Sequence, residues 1–432
     1  MKKILFITIF ILSTVAMAQD RSIIPQAGPA PEIQIGSTES FEMENGLKVF
    51  VVENHKLPVV SFSLQFKYHP ELETDLAGLS SITADLMGTN TTNRSKDEID
   101  AAVDYIGATL ESYSKGVYAS SLSKYMSSLM DVFSDVVINS KFTQEEFDKL
   151  IKQTKSGLAS ALDDPDQIAS NVTSVMNFGK GHIYGELMTE ETLSNISLED
   201  CNTFYNTYFS PKGSYMAIVG DITVDDAKKI MNKYMSSWKA IDYKNAHYKW
   251  KNPPNQNEIA LVHKSGAVQS VINITYPIDI HPASEDALKV KVLNNILGGG
   301  STGRLFLNLR EDKAYTYGAY SMMSVDEIGS SFKASAKVRN EVTDSAIVEF
   351  LSEISTLRQT KVSEQELQGV KTNMAGKFAI SLENASTVAR FAINMDHLGL
   401  NKDHYSMYLK RLDAITVNDI YEVAQKYLKP NN

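Results

Sequence analysis

The chain contains 432 residues, a length that predicts two or three domains and excludes a single small module. Hydrophobic residues make up 43% and charged residues 22%, a balance that excludes wholesale disorder and a polytopic membrane protein. The formal net charge of −10, without a compact block of lysine or arginine, argues against nucleic acid as the main partner. The single cysteine, Cys201, excludes an internal disulfide and a cysteine-based zinc site, and we expect its thiol in the core.

The N-terminus has the pattern of a secretory signal peptide. Two lysines precede an apolar run from Ile4 to Val15, and the small-residue sequence Ala16-Met-Ala18 follows. We expect cleavage after Ala18, which leaves an exported protein, periplasmic or secreted, with no membrane span. An uncleaved anchor is the alternative, but about 15 apolar residues fall short of the roughly 20 that cross a bilayer.

The first half of the chain is predicted to alternate strands and helices. Runs of β-branched and aromatic residues predict strands over 47–53, 59–66, 109–113, 118–123 and 215–220. Helical periodicity predicts helices over 78–87, 96–106 and 224–234. The capping pattern Thr143-x-x-Glu146 opens a further helix that runs to about Leu162, and Pro165 fits the first turn of the next one.

The second half repeats the first. Residues 143–164 match residues 363–384 at an offset of 220, and Ser363-x-x-Glu366 repeats the capping pattern. Five more residues recur at an offset of 219: Leu193, Ile196, Asp200, Tyr208 and Pro211 correspond to Leu412, Ile415, Asp419, Tyr427 and Pro430. The fold class is therefore α+β, with two homologous α/β units of about 200 residues in which a mixed sheet packs with helices.

The polar, proline-containing stretch 243–257 is the best linker between the two units. We divide the chain into a signal peptide at 1–18, an N-terminal unit at 19–242, the linker at 243–257 and a C-terminal unit at 258–432. In the C-terminal unit we predict strands over 258–263, 268–276, 315–322 and 331–338, and helices over 283–296 and 302–310. The sequence stops after Pro430, whereas the first unit continues past Pro211 into a strand and a helix. We expect the second unit to be truncated in this sequence; a gene that ends at Asn432 would refute this.

The sequence lacks two common motifs of catalytic sites. No two of the eight histidines lie closer than seven residues, so the usual helical pair of zinc-binding histidines is absent. No Gly-x-Ser-x-Gly motif occurs either. The glycine run at 298–303 lacks the Gly-Lys-Ser/Thr ending of a phosphate loop and follows a helical stretch, so we favour a helix-to-helix turn.

A sharper feature begins at Arg310, which ends a predicted helix and is followed by tyrosines on the next predicted strand. Strand alternation predicts Tyr315 and Tyr317 on one side and Tyr320 on the other. Arg310 and Tyr317 could jointly donate hydrogen bonds to one backbone carbonyl. An exposed arginine with core aromatics is the alternative, and the spacing alone favours it.

The stretch Ile296–Tyr320 resembles the second-half motif of the insulinase/pitrilysin metallopeptidases, in particular the branch that is similar to mitochondrial processing peptidase. Three shorter stretches also resemble this family: 45–53, 208–211 and 217–221. The resemblance covers essentially all of the mature chain and implies the duplicated fold of that family, which forms half of a clamshell. It also implies that Arg310 and Tyr317 bind the substrate carbonyl opposite the zinc.

The zinc motif of the family, H-x-x-E-H, is replaced here. Ser81, Ala84 and Asp85 stand at the matching positions, after Gly78-Leu79. A serine hydroxyl is a poor zinc ligand, and an alanine methyl cannot accept a proton from a zinc-bound water. The third, acidic ligand is expected near the end of the helix that Thr143 opens, but residues 156–162 contain no carboxylate. We therefore assign this chain no catalytic residue and no metal ligand.

A retained Arg/Tyr pair with a lost zinc site is similar to the noncatalytic subunits of the family. The resemblance implies a subunit that is inactive alone and binds peptide substrates together with a partner of the same family that carries H-x-x-E-H. The signal-peptide pattern implies that this subunit is exported. The zinc cofactor is expected in the partner and none in this chain. One alternative is a scaffold or peptide-binding protein with no peptidase role. Another is an independent hydrolase that uses unrecognised residues, against which the missing carboxylates count.

Overall fold

The computed structural model describes residues 35–69, 71–249 and 254–431. The predicted signal peptide at 1–18 lies outside the described residues. In the described part, no helix is both long enough and apolar enough to cross a membrane.

The first repeat is built on a mixed sheet. Within the described ranges this sheet has six strands in the order β1-β2-β6-β3-β5-β4, and only β2 and β6 among the neighbouring pairs run parallel. The strands in chain order are Glu39–Glu42, Lys48–Glu53, Val59–Phe66, Thr109–Tyr113, Gly116–Leu122 and Ser214–Gly220. On β3 the buried residues alternate, and Phe62, Leu64 and Phe66 point into the main core of this repeat.

The first repeat also contains helices α1 to α8. In chain order they are Leu79–Leu86, Lys96–Tyr105, Met126–Ile138, Gln144–Ala161, Pro165–Phe178, Glu190–Asn195, Leu198–Tyr208 and Val224–Met235. Short 3₁₀ turns lie at Thr74–Leu76 and Ser123–Tyr125. The Thr143 hydroxyl accepts a hydrogen bond from the Glu146 amide and caps α4, and Pro165 occupies the first position of α5.

The second repeat follows the same order of elements. In its described part, β7 (Gln269–Ile278), β8 (Thr316–Ser324) and β9 (Ser330–Arg339) form an antiparallel sheet in the order β7-β9-β8. Helices α9 to α15 are Asp286–Leu297, Arg304–Phe306, Thr343–Gln359, Glu364–Ser381, Ala385–His397, Tyr408–Asp413 and Val417–Tyr427. A π-helix, Leu307–Asp312, continues from α10, and a 3₁₀ turn covers Asn340–Val342.

The helix caps reproduce the duplication. Ser363 caps α12 as Thr143 caps α4, because its hydroxyl accepts from the Glu366 amide at 3.1 Å. Capping boxes open both α7, with Ser197 and Asp200, and its counterpart α15, with Thr416 and Asp419. The predicted pair of homologous α/β units is therefore confirmed.

The predicted strand at 258–263 is wrong. The chain is irregular there, with Ile259 83% and Leu261 90% exposed, and β7 begins only at Gln269. An extended segment becomes a strand only by pairing with a neighbour. The corresponding strand of the first repeat, β2, pairs with β6, and the described part of the second repeat has no counterpart of β6.

The two repeats cover each other's sheets. Helix α13 of the second repeat packs against β2 and β6 of the first, where Val388, Ala392 and Ile393 complete a core with Phe50 and Tyr215. Helix α5 of the first repeat packs against β7 of the second. Strand β6 is consequently buried along its whole length.

Candidate functional site

The positions that match the zinc motif lie on α1. Ala84 is fully buried, so its methyl group is packed in the core, whereas the Asp85 carboxylate reaches the wall of a cavity of about 520 Å³. Desolvation by the surrounding protein raises the pKa of Asp85. In the described ranges, no three histidine, cysteine, aspartate or glutamate side chains converge where a metal ion could bind.

Two of the other acidic side chains at this cavity have lysine partners. Lys96 pairs with Asp100 at 2.7 Å, and Lys149 lies 3.6 Å from Glu146. Among the described residues, Asp85 thus belongs to no group of three potential metal ligands, and the Ser81 hydroxyl is a poor zinc ligand. That zinc resides in another chain remains a prediction.

Cys201 lies in the core, as predicted. Its side chain is fully buried, and burial raises the pKa of the thiol to about 11. At neutral pH the thiol stays protonated and is therefore a poor nucleophile.

Arg310 projects from the π-helix. Its guanidinium lies 4.7 Å from the centre of the Phe306 ring, and its Nε atom lies 3.4 Å from a carboxylate oxygen of Glu311. The Arg310 side chain is 46% exposed, so part of the guanidinium is free to meet a ligand. A π-helix inserts an extra residue into the helical turn and is found disproportionately at functional sites.

A β-bulge presents Tyr317 to solvent. Thr316 pairs with Val338 but Ala319 pairs with Ala336, so β8 has one residue more than β9 across this interval. The Thr316 hydroxyl accepts from the Gly318 amide at 3.1 Å and donates to the Lys337 carbonyl at 2.6 Å, which fixes the bulge. Tyr317 is 88% exposed as a result.

The predicted facing of the tyrosines is wrong. Tyr315 packs against the core of the second repeat, whereas Tyr317 and Tyr320 are both exposed. The extra residue at the bulge shifts the alternation, so Tyr317 no longer shares a side with Tyr315. A glycine inside a strand, here Gly318, was the sequence signal for the bulge.

Arg310 and Tyr317 thus lie on two elements that pack together, the π-helix and β8. Phe306 lies beside both Arg310 and Tyr320, since its ring centre is 4.7 Å from the Arg310 guanidinium and 5.8 Å from the Tyr320 ring. The sequence reasoning missed Phe306, although its position four residues before Arg310 is the spacing that brings side chains together on a helix.

Comparisons with known proteins show the family and the fold of this chain. The family model described as "Insulinase (Peptidase family M16)" matches residues 49–183, and the model "Peptidase M16 inactive domain" matches residues 195–374. The chain is 23% identical over 398 residues to an uncharacterized zinc protease, YmxG, of Bacillus subtilis, which covers 89% of this chain and 94% of the relative.

Two solved structures share the fold. A peptidase M16 inactive domain from Pseudomonas fluorescens superposes with a TM-score of 0.81 at 20% identity, over 91% of this chain and 96% of that one. The periplasmic protease PqqL from Escherichia coli superposes with a TM-score of 0.74 at 15% identity, over 95% of this chain but 48% of the longer protein. The fold therefore corresponds to about half of that protein, which agrees with the predicted half of a clamshell.

These matches identify the class of protein: a duplicated α/β fold of the peptidase M16 type whose first repeat lacks the zinc-binding side chains. The chain belongs to the insulinase family and is of its noncatalytic type.

Proposed function

We propose that this chain is the noncatalytic subunit of an exported heterodimeric zinc peptidase. The main support is that Arg310 and Tyr317 are both exposed to solvent on two elements that pack together. In contrast, Ser81, Ala84 and Asp85 occupy the positions of the zinc motif. On this proposal, the chain carries the carbonyl-binding half of a peptidase site and lacks the metal-binding half. The partner, a family member with an intact H-x-x-E-H motif, would supply zinc, the attacking water and the base.

The chemistry assigned to this chain is hydrogen-bond donation to the scissile carbonyl. An arginine is charged at any physiological pH and offers several N–H donors, and a tyrosine hydroxyl offers one more. Donors aimed at the carbonyl oxygen stabilise the negative charge that develops on it as water attacks. The Phe306 ring beneath the guanidinium restricts its motion and so lowers the entropy lost when substrate binds.

Two observations support export. The first 18 residues carry the signal-peptide pattern, and the fold is shared with a periplasmic protease. The described helices include no membrane span.

The proposal is tested by measuring zinc content and peptide cleavage for the mature chain alone and for the chain co-expressed with an H-x-x-E-H relative encoded in the same genome. We expect the chain alone to be metal-free and inert and the co-purified pair to contain one zinc ion and cleave peptides. Stoichiometric zinc and turnover in the isolated chain would overturn the proposal. A chain that forms no pair, or a pair whose cleavage is the same without it, would favour a scaffold or peptide-binding role.

A further inference from the structure

A large cleft lies between the two repeats, and neither Arg310 nor Tyr317 lines it. Its volume is about 1020 Å³. The first repeat contributes the chain just beyond β3 and the turn between β4 and β5, and the second contributes α9 and the segment from the end of α13 to α14.

Basic side chains line one wall of this cleft. Lys291 on α9, Arg411 on α14 and His404 between α13 and α14 all line it. The Arg411 guanidinium nitrogens lie 3.3 Å and 3.5 Å from the two ring nitrogens of His404. In the part of the chain that the structure describes, neither Lys291 nor Arg411 pairs with a carboxylate.

The charges of these groups influence one another. Desolvation, Arg390 and Arg411 lower the pKa of Lys291, and desolvation, Arg411 and Lys291 lower the pKa of His404. At His404 the negative charge of Asp403 opposes these effects but is the weaker influence. The remaining like charges repel one another, and a bound anion would relieve that repulsion.

The opposite wall carries both positively and negatively charged side chains. Lys67 and Lys115 lie there, but Asp326 and Glu327 also line the cleft and raise the pKa of Lys67, against the larger effect of desolvation. Glu327 is itself held by His397, with 2.9 Å between the carboxylate oxygen and Nε2. Carboxylates therefore accompany the lysines on this side, whereas in the described residues Lys291 and Arg411 have no carboxylate partner.

We propose that the Lys291–His404–Arg411 wall is a binding site for a multiply charged anion, with closely spaced carboxylates or phosphates as the recognised groups. The guanidinium of Arg411 can present two parallel N–H donors to such a group, and Lys291 adds a point charge. The chain as a whole carries a net charge of −10, so a cluster of cations without carboxylate partners contrasts with its overall charge.

The test is titration calorimetry of the full mature chain at low ionic strength with three probes: a hexaglutamate peptide, inorganic tripolyphosphate and a hexaglutamine peptide. The test variant is Lys291→Gln with Arg411→Gln. The control is Lys402→Gln with Lys410→Gln, which removes the same charge from two exposed lysines that do not line the cleft.

We expect at least one anionic probe to bind, the hexaglutamine peptide not to bind, and the test variant to lose about tenfold or more in affinity, as for the loss of charge-assisted hydrogen bonds. The control should stay within about twofold of wild type, as for exposed charges. The anionic probe that binds more tightly identifies whether carboxylates or phosphates are the natural ligand groups.

The proposal is overturned if neither anionic probe binds, or if the test and control variants weaken binding equally, since general attraction would then explain the result. Thermal melting of both variants without ligand shows whether they are folded. We expect the test variant to melt at least as high as wild type, because it removes like-charge repulsion. If that variant unfolds, the single Arg411→Gln and Lys410→Gln variants provide the same comparison.

Discussion

Arg310 meets Phe306 on one side and solvent on the other, so its replacement removes a donor without opening the core. In the assembled pair, Arg310→Ala should lower kcat by about 10²–10³, the usual effect of losing one oxyanion donor. Arg310→Lys should restore only part of the rate, because an ammonium group lacks the planar fork. Steady-state kinetics with one peptide measures both.

The matched control is Lys313→Ala, which removes a nearby cation that lies 3.4 Å from Glu349 and has no assigned contact with substrate. It should leave kcat within about twofold of wild type. An Arg310→Ala pair that cleaves as fast as wild type would remove the oxyanion role from the proposal.

His404 gives a prediction about stability and pH. Burial, Arg411 and Lys291 lower its pKa in the folded chain, opposed only by the weaker effect of Asp403. The unfolded chain therefore binds a proton more readily than the folded one, and stability falls as the pH drops below about 6.5, the ordinary histidine pKa. Thermal melts at pH 7 and pH 5 should show this loss, and His404→Gln should reduce it. His263→Gln, at an exposed position, should leave the pH dependence as in wild type.

At the residue scale, the sequence indicated the site only where a local motif exists. Arg310 and Tyr317 were found from their spacing and from the family motif. Phe306 was not, because stacking beneath a guanidinium depends on side-chain direction on the helix and on the packing of β8. The Lys291–Arg411 wall was also not foreseen, since its members are 120 residues apart in the sequence.

The element that presents Tyr317 is the bulge in β8, and Gly318 is its most sensitive position. A Cβ atom on Gly318 would lie 2.7 Å from the Tyr320 ring, so one of the two must move. Gly318→Ala should therefore displace Tyr320 and reorient Tyr317, lowering kcat of the pair by several-fold with about 1 kcal/mol or less lost in stability. Kinetics and chemical denaturation of the same protein separate the two effects.

Gly376→Ala is the control for this substitution, because nothing lies near a Cβ atom at that position of α12. It should leave kcat unchanged and stabilise the chain by about 0.5–1 kcal/mol, as expected for an alanine in a helix interior. If Gly318→Ala preserves wild-type kinetics, the bulge geometry is not what positions Tyr317.

At the element scale, local chemistry predicted most boundaries and pairing decided the rest. The alternation of Phe62, Leu64 and Phe66 specified β3, and Thr143 and Ser363 specified two helix starts. The segment 258–263 has the same composition as a strand but is irregular, because strand formation depends on a neighbour that local sequence does not reveal. The π-helix is likewise invisible to helical periodicity, which predicts an ordinary helix over 302–310.

At the scale of the whole molecule, the duplication was readable from the repeat offsets, but the mutual covering of the sheets was not. Helix α13 belongs to the second repeat and lies in sequence far from the strands β2 and β6 on which it packs. Asp396, near the C-terminal end of α13, reinforces this contact. Its carboxylate accepts a hydrogen bond from the Tyr215 hydroxyl and forms an ion pair with Lys48, each at 2.7 Å. The two repeats should therefore unfold together.

Ile393 tests this coupling. Its side chain, on α13, is fully buried against the first sheet. Ile393→Ala should therefore destabilise the chain by about 2–5 kcal/mol, the cost of a large-to-small change in a core. Because the residue lies in the second repeat but covers the first, amide hydrogen exchange should accelerate in β2 and β6 as well as in α13. The control is Ile380→Ala on α12, which is 66% exposed and should change stability by about 0.5 kcal/mol or less. Protection of β2 and β6 that survives the Ile393 substitution would show that the first sheet is stable without the helix from the second repeat, and the two repeats would then be independent folding units.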